Sequence, residues 1–227
     1  MKASVLVVAA GNSSRMGEKG NKQFLCLKDK PVLAYTLAVF EGLEEVSEII
    51  VATRTEDIPA VKALAENYAI SKLKAVVSGG KTRQESVFLG LKAVNEEYVL
   101  IHDGARPFVT EEEIKAVLEA LSDYDAALPG VPVKDTIKRV DENGEAVETL
   151  QREELMAVQT PQGFRTKVIF DAHKKVSDDG VAVTDDASVA EYMGIPVKVV
   201  KGSYQNIKIT TPEDLVLAQA ILSERQE

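Results

Sequence analysis

A short turn after the first apolar run combines backbone flexibility with positive charge. The run 5–8 is typical of a buried strand. The turn that follows contains small residues and two cations, namely Ala9, Ala10, Gly11, Arg15 and Lys22. A glycine lets backbone N–H groups approach phosphate oxygens, and cations neutralise phosphate charge. The pattern predicts a nucleoside triphosphate at the carboxyl end of this strand, and the alternative is an ordinary solvated strand-to-loop connection.

Two commoner nucleotide-binding motifs do not match this turn. A Walker A loop requires lysine and then serine or threonine after its last glycine, but Gly17 is followed by Glu18. A dinucleotide-binding fingerprint requires a second glycine at the position of Ser13.

A second motif joins a carboxylate to a cation after another apolar run. In the segment 101–107, Asp103 directly follows a predicted strand and Arg106 comes three residues later. Asp103 is placed to hold Mg²⁺ directly or through water, and Arg106 to bind a phosphate with two hydrogen bonds. The alternatives are a turn cap for Asp103 and a surface ion pair for Arg106. We expect His102 to have a structural role.

A third group lies at the predicted start of a helix. Gly79 and Gly80 precede it, and Arg83 and Ser86 are three residues apart, so both face the same side. A helix amino terminus offers free N–H groups to anions. The alternative is a simple loop with a helix cap.

The elements that position these motifs alternate along the chain. Strands are predicted at 47–53, 73–78, 98–102 and 126–133, and helices at 58–68, 82–94 and 111–121, the last capped by Thr110. This alternation predicts an α/β fold with a mostly parallel sheet and helices on both faces, in a single domain of residues 1–227. All three motifs follow strands, and ligands of such sheets bind outside the carboxyl ends of the strands.

The segment at about 133–155 interrupts the alternation. Two polar, strand-like stretches flank Asn143-Gly144, a dipeptide that favours a hairpin turn. An isolated hairpin is marginal in water, so we expect an arm that pairs with the same arm of another subunit in a homodimer. The alternative is a flexible surface hairpin.

Composition limits the possible partners. The 227 residues are 45% apolar and 28% charged, with a formal net charge of −9. The negative charge argues against general binding of nucleic acid or anionic membranes, so an anionic substrate needs a local cluster of cations.

Localisation is expected to be cytoplasmic. The single cysteine, Cys26, excludes an intrachain disulfide and lies between two leucines, where we expect a packed apolar side chain. No run reaches the length of a membrane span, and the amino-terminal apolar run is too short for a secretory signal.

The last group of candidate site residues lies far downstream of the three motifs. It comprises Arg152, the segments 160–162 and 184–186, and Lys208. Lys208 lies in an alternating, strand-like run, and spacing alone favours an outward-facing surface lysine.

Taken together, these motifs resemble one family over nearly the whole chain, the 2-C-methyl-D-erythritol 4-phosphate cytidylyltransferases of the non-mevalonate isoprenoid pathway. The resemblance rests on the segments 9–16, 22–24, 79–87, 102–107, 132–136, 160–162, 184–186 and 206–208. It implies a Rossmann-like nucleotidyltransferase fold. It also implies that CTP and methylerythritol phosphate give the CDP-linked methylerythritol and pyrophosphate, with Mg²⁺ as cofactor.

The resemblance also implies a role for each site residue. It makes Arg15, Lys22 and Lys208 catalytic, and places Lys208 and Thr184 near the methylerythritol phosphate. Asp103 lies at the metal. The implied CTP-binding residues are Ala9, Ala10, Gly11, Gly79, Gly80, Arg83, Ser86, Asp103 and Ala105. Arg106, Thr136 and Arg152 bind the methylerythritol phosphate, the last two from the partner subunit.

Two other functions remain open. A related cytidylyltransferase that uses ribitol 5-phosphate shares the first turn and its lysine. A nucleotide-binding regulatory module without turnover is more distant, since a mere binder has no need of Arg15, Lys22, Asp103 and Lys208 together.

Overall fold

The computed structural model describes residues 1–11 and 24–225. Its strands are β1 (Ala3–Val8), β2 (Cys26–Leu27), β3 (Lys30–Pro31), β4 (Val46–Thr53), β5 (Leu73–Ser78), β6 (Tyr98–Asp103), β7 (Ala126–Pro132), β8 (Lys138–Val140), β9 (Ala146–Thr149), β10 (Met156–Val158), β11 (Gln162–Arg165) and β12 (Val197–Lys201). Its helices are α1 (Val32–Glu41), α2 (Ile58–Asn67), α3 (Arg83–Leu91), α4 (Glu111–Ala120), α5 (Thr166–Asp178), α6 (Asp186–Tyr192) and α7 (Pro212–Glu224).

The main sheet is mixed, with a parallel centre. Strand β1 pairs in parallel with β4 on one side and β6 on the other, and β4 pairs in parallel with β5. Strand β11 runs antiparallel between β6 and β7, while β12 pairs in parallel with β7. The predicted mostly parallel sheet is confirmed, and the four later strands and three helices predicted from sequence lie where β4–β7 and α2–α4 form.

Alternating side chains of β1 divide the core between the two faces of the sheet. Val5 and Val7 pack with side chains from α1, α2 and α4. Leu6 and Val8 pack on the opposite face with side chains from α3, α5 and α6. This period-two alternation gives each face its own apolar layer, and helices cover both faces as predicted.

The antiparallel strands β10 and β11 were not predicted. They flank Gln159-Thr160-Pro161, whose Thr160–Pro161 peptide bond is cis. Strand β10 pairs with the end of β7 and β11 with its start. Because β11 returns beside β6, it brings Thr160 next to Asp103 at the carboxyl end of that strand.

The hairpin predicted at Asn143-Gly144 is present as β8 and β9. These two strands pair with each other in a separate two-stranded sheet, and all their residues are exposed. Gly144 has a φ of +82°, a left-handed conformation that glycine adopts without a steric penalty.

A third apolar cluster joins α7 to the segment that follows the first turn. Leu27 and Val32 pack there with Ile209 and Ile221. The packed position expected for Cys26 is wrong, because its side chain is exposed. Adjacent residues of a strand point to opposite faces, and in β2 it is Leu27 that points inward. Within 1–11 and 24–225, no helix has the length and apolarity that crossing a membrane requires.

Candidate active site

A pocket of about 370 Å³ opens where β1, β4, β5 and β6 end. Among the described residues, its lining comprises Val8, Ala10, Gly11, Arg54, Gly80, Lys81, Thr82, Arg83, Ser86, Asp103, Ala105 and Lys208. The sequence placed all three motifs at this edge of the sheet, and the fold brings described residues of each motif together there. Ala9 is buried just behind the lining, where its N–H donates to the Ala52 carbonyl.

Glycine at positions 79 and 80 allows the loop after β5 to lie against the turn after β1. A Cβ atom on Gly79 would stand 2.7 Å from the Cβ of Ala10, and one on Gly80 would overlap the side chain of Glu85. Ser86 then fixes the loop, because its Oγ accepts a hydrogen bond from the Gly80 N–H at 3.0 Å. The pair of glycines therefore sets the width of the pocket on this side.

Asp103 is the centre of the charged cluster in the pocket. Its carboxylate lies 2.8 Å from Nζ of Lys208 and 3.6 Å from Nε of both Arg83 and Arg106. Burial alone would raise the pKa of Asp103, but the charges of Lys208, Arg83 and Arg106 outweigh it and hold the pKa well below its usual range. Asp103 is therefore ionised at neutral pH.

Lys208 reaches this cluster from a loop. The strand-like run inferred around it is wrong, since residues 206–210 form no strand, and so is the outward-facing side chain that spacing favours. The Ile209 N–H donates to the Ala105 carbonyl, and the buried Ile209 side chain joins the third apolar cluster. With Ile209 anchored in this way, Lys208 is directed at Asp103 while its side chain remains 39% exposed.

His102 supports the loop after β6, as expected. Thr160 Oγ1 lies 2.9 Å from Nδ1 of His102 and accepts a hydrogen bond from the Asp103 N–H at 3.1 Å. The other ring nitrogen donates to the Arg106 carbonyl at 3.0 Å. Burial lowers the pKa of His102 to about 4. An uncharged imidazole satisfies this arrangement, because it offers one donor and one acceptor.

Arg106 and Arg83 each have a further partner besides Asp103. Arg106 donates to the Asn206 carbonyl at 2.7 Å. Arg83 donates to Oδ2 of Asp186 at 2.7 Å, and Asp186 is in turn contacted by Nε2 of His173 at 3.2 Å. Burial would raise the pKa of Asp186, but Arg83 and His173 lower it.

Sequence reasoning missed two cations that line the pocket, Arg54 and Lys81. Arg54 directly follows β4, and Lys81 follows the two glycines after β5. A cation just past the carboxyl end of a predicted strand was the pattern that could have identified both.

Other predicted site residues lie elsewhere in the structure. Thr136 and Arg152 are exposed near the hairpin, where Arg152 donates to the Lys134 carbonyl at 3.1 Å. Thr184 is exposed beside α6, with its hydroxyl 3.1 Å from that of Ser188. Arg15 and Lys22 lie outside the described residues.

The described part of the chain contains no cluster of three or more His, Cys, Asp or Glu side chains arranged to hold a metal ion. Asp103 is the one carboxylate among the described lining residues, and the cations around it are Arg54, Lys81, Arg83 and Lys208. Such a pocket can bind a polyanion and hold a single acidic group beside its phosphates.

Comparisons with known proteins identify the family of this chain. The family model for 2-C-methyl-D-erythritol 4-phosphate cytidylyltransferase (IspD) matches residues 3–224. A protein of that name from Halalkalibacterium halodurans is 52% identical over 228 residues, which cover 100% of this chain and 99% of the relative. A relative of the same name from Alkaliphilus metalliredigens is 47% identical, over 100% of this chain and 95% of its own length.

Solved structures of proteins of this kind superpose closely on this chain. The crystal structure of 4-diphosphocytidyl-2C-methyl-D-erythritol synthase from Anaerococcus prevotii superposes with a TM-score of 0.84 at 35% identity, over 98% of each chain. The crystal structure of 2-C-methyl-D-erythritol 4-phosphate cytidylyltransferase from Thermus thermophilus superposes with a TM-score of 0.81 at 37% identity, over 98% of this chain and 100% of the other. The fold is therefore the Rossmann-like nucleotidyltransferase fold, and the chain belongs to the 2-C-methyl-D-erythritol 4-phosphate cytidylyltransferase family.

Proposed function

We propose that this protein transfers the cytidylyl group of CTP to 2-C-methyl-D-erythritol 4-phosphate, giving 4-(cytidine 5′-diphospho)-2-C-methyl-D-erythritol and pyrophosphate. The observation that carries the proposal is the cation cluster around Asp103, at the carboxyl ends of the central strands in a chain of this family. The net charge of −9 makes this local concentration of cations informative, because a polyanionic substrate has to be attracted against the overall charge.

The chemistry suits a site built from charges. A phosphate monoester is already a nucleophile, so no general base is needed. Its oxygen attacks the α-phosphorus of CTP, a new P–O bond forms, and the bond to the β-phosphate breaks with release of pyrophosphate. Bringing two polyanions together is the main obstacle, and catalysis is then mostly positioning and electrostatic stabilisation.

The roles in this proposal are those that the family resemblance implies. Lys208 stabilises the charge that develops on the transferred phosphate, and Arg15 and Lys22 act with it. The nucleotide lies along Ala9, Ala10, Gly11, Gly79, Gly80, Arg83, Ser86 and Ala105. The methylerythritol phosphate is held by Arg106, Thr136, Arg152 and Thr184.

Asp103 is the residue that would hold Mg²⁺. Magnesium usually takes one or two carboxylates and completes its shell with substrate phosphates and waters, so a single acidic side chain in a phosphate pocket fits it. The ion would neutralise charge on the triphosphate. Asp103 also orients Lys208 through their 2.8 Å ion pair.

The hairpin arm is proposed to form a homodimer and to complete the site of the partner subunit, as an extension at 133–155 of the single domain 1–227. Exposed apolar side chains on and beside the arm support this, namely Val140, Val147, Met156 and Val158. Water-exposed apolar side chains grouped on one extension are typical of an interaction surface. Thr136 and Arg152 lie at the base of the same arm.

The test is release of pyrophosphate from CTP and Mg²⁺, with 2-C-methyl-D-erythritol 4-phosphate or ribitol 5-phosphate as acceptor in parallel. The proposal requires release with the methylerythritol phosphate and none without an acceptor. Release with ribitol phosphate alone would keep the chemistry and change the substrate. A protein that binds CTP but releases no pyrophosphate with either acceptor would be a non-catalytic nucleotide-binding module.

A further inference from the structure

A buried polar assembly lies behind the pocket, and the roles assigned above do not use it. His173 on α5 and Asp186 at the start of α6 are each no more than 1% exposed. Nε2 of His173 lies 3.2 Å from Oδ1 of Asp186, whose Oδ2 accepts from Arg83 at 2.7 Å. Since an ionised carboxylate only accepts hydrogen bonds, Nε2 is the donor. A continuous chain of contacts therefore connects α5 to the pocket.

The start of α6 is itself fixed to the sheet by Gln162 on β11. Its side-chain carbonyl accepts from the N–H groups of Asp186 and Ala187 at 3.0 and 2.9 Å. Its amide nitrogen donates to Asp185 at 2.8 Å. The two short sequence motifs at 160–162 and 184–186 are thus connected in space, and together they leave the Asp186 carboxylate little freedom to move.

The pair between Asp186 and the partly buried Arg83 is by itself weak evidence for a gain in stability. Removing charged groups from water costs several kcal/mol per ion, and this cost offsets much of their mutual attraction. What the pair does achieve is geometric, because it fixes a side chain that is 28% exposed and lines the pocket.

We propose that His173 and Asp186 are positioning residues that hold the Arg83 guanidinium in the nucleotide half of the pocket. His173 orients the Asp186 carboxylate, and Asp186 fixes one edge of the guanidinium. Arg83 is thereby held near Asp103 without relying on the bound nucleotide for its orientation. This inference rests on the proposed function only for the identity of the nucleotide, CTP.

The test compares two amide replacements of His173. In His173→Gln the amide nitrogen takes the place of Nε2 and still reaches Asp186, whereas the shorter side chain of His173→Asn does not. We expect the Kd for CTP, measured by titration calorimetry, to rise roughly tenfold in His173→Asn, because residues that orient a binding side chain contribute effects of about this size. In His173→Gln the Kd should stay close to wild type. KM for CTP should rise in parallel, with a smaller change in KM for the acceptor.

A double-mutant cycle separates positioning from a general loss of stability. In an Arg83→Ala background, His173→Asn should lower the melting temperature as much as it does in the wild-type background. It should leave the Kd for CTP unchanged, because the residue through which it acts is gone. An undiminished effect of His173→Asn in that background would overturn the proposal. Equal Kd values for His173→Gln, His173→Asn and wild type would also overturn it.

Asp186→Asn provides a second, independent variant should His173→Asn unfold. It retains the size of the side chain but removes its charge, and we expect the Kd for CTP to rise at least as much as in His173→Asn. A wild-type Kd in a folded Asp186→Asn protein would reject the role of Asp186. Because Kd is measured without turnover, a wild-type protein that binds CTP but transfers nothing would contradict the proposed function and leave this inference intact.

Discussion

Asp103 brings three cations into one small volume of an otherwise acidic protein. Lys208, Arg83 and Arg106 all lie within 3.6 Å of its carboxylate, and Asp186 adds a second negative charge on the far side of Arg83. The cluster keeps a surplus of positive charge after both carboxylates are counted. Lys81 in the same lining adds a further positive charge, whereas Arg54 is paired with Asp57 and Glu56. An electrostatic site for phosphates can therefore exist in a chain whose formal net charge is −9.

Lys208→Gln should cut turnover without affecting the fold. The side chain is 39% exposed and contacts Asp103 rather than the core, and Arg83 and Arg106 still lie beside Asp103 when it is replaced, so the fold should be retained. Removing a cation that stabilises transition-state charge typically costs about 10²–10³ in kcat, and we expect a loss of that size in pyrophosphate release. Lys201→Gln, an exposed lysine at the end of β12, is the matched control and should stay within about twofold of wild type. Comparable losses in both variants would contradict the role of Lys208.

Asp103→Asn should reveal a pH-dependent contribution to stability. The pKa of Asp103 in the folded protein lies below its ordinary value of 3.8, so its ion pairs stabilise the protein at pH 7 and are lost as the pH falls through the lowered pKa. We expect urea unfolding to place the variant about 2 kcal/mol below wild type at pH 7, and the gap to narrow at pH 3. Asp171→Asn, on an exposed i,i+4 pair with Lys167, should differ from wild type by less than about 0.5 kcal/mol at both pH values. A gap for Asp103→Asn that is the same at pH 7 and pH 3 would rule out this linkage.

At the scale of elements, helix α4 begins with a capping box whose glutamate also supports the active-site loop. Thr110 accepts from the Glu113 N–H, and Oε2 of Glu113 accepts from the Thr110 N–H at 3.0 Å. Its other oxygen accepts from the Ser203 N–H at 2.9 Å and from the Asn206 amide at 3.3 Å. Asn206 stands two residues before Lys208. The first turn of α4 therefore anchors the loop that carries Lys208.

Two substitutions separate the local role of this cap from the distant one. Thr110→Ala should cost about 1 kcal/mol of unfolding free energy and leave turnover close to wild type. Glu113→Gln should cost a similar amount of unfolding free energy and should also lower kcat roughly tenfold. The amide that replaces the carboxylate turns an N–H donor, instead of an oxygen acceptor, toward one of the N–H groups that donate to Glu113. Urea unfolding and pyrophosphate release on the same preparations measure both effects. Equal turnover in the two variants would show that Glu113 is a cap and nothing more.

Local sequence predicted the elements that carry their own pattern. The apolar runs at β4–β7 and the capping residue Thr110 specify strands and a helix start from neighbouring residues, and the structure has them within a few positions. The carboxyl-edge location of the pocket followed from the alternation of strands and helices and from motifs that directly follow strands. The sequence therefore predicts that Asp103, Arg83 and Ser86 lie at one edge of the sheet.

The elements that were missed depend on distant partners. Strand β10 has only three residues, all exposed, and pairs with the end of β7, so it is too short to show a strand periodicity of its own. Lys208 is directed inward by the Ile209–Ala105 hydrogen bond, a contact between residues about a hundred positions apart. The Asp186–Arg83 pair likewise connects two motifs separated by a hundred residues. No local periodicity encodes such contacts.

At the scale of the whole molecule, the question is whether one chain forms a complete site or needs the arm of a second chain. Strands β8 and β9 pair with each other and have no partner in the main sheet among the described residues. A two-stranded ribbon in water is marginal, and pairing with a second copy would bury its exposed Val140 and Val147. In a twofold dimer each arm would reach the other subunit's pocket, so that Arg152 would serve a site whose Lys208 comes from the other chain.

Mixed dimers test this arrangement directly. Arg152→Ala should raise KM for the methylerythritol phosphate much more than KM for CTP, and Lys208→Gln should abolish most turnover, so each homodimer is impaired. After random reassociation about half of the dimers are heterodimers, and one of the two sites in each heterodimer has both wild-type residues. About a quarter of wild-type turnover should therefore return at subsaturating acceptor. Arg139→Ala, which removes another exposed arginine of the arm paired with Glu148, is the control and should leave both KM values unchanged. If Arg152 instead serves its own chain's site, every heterodimer site carries one defect, and the mixture stays at the average of its two inactive parents.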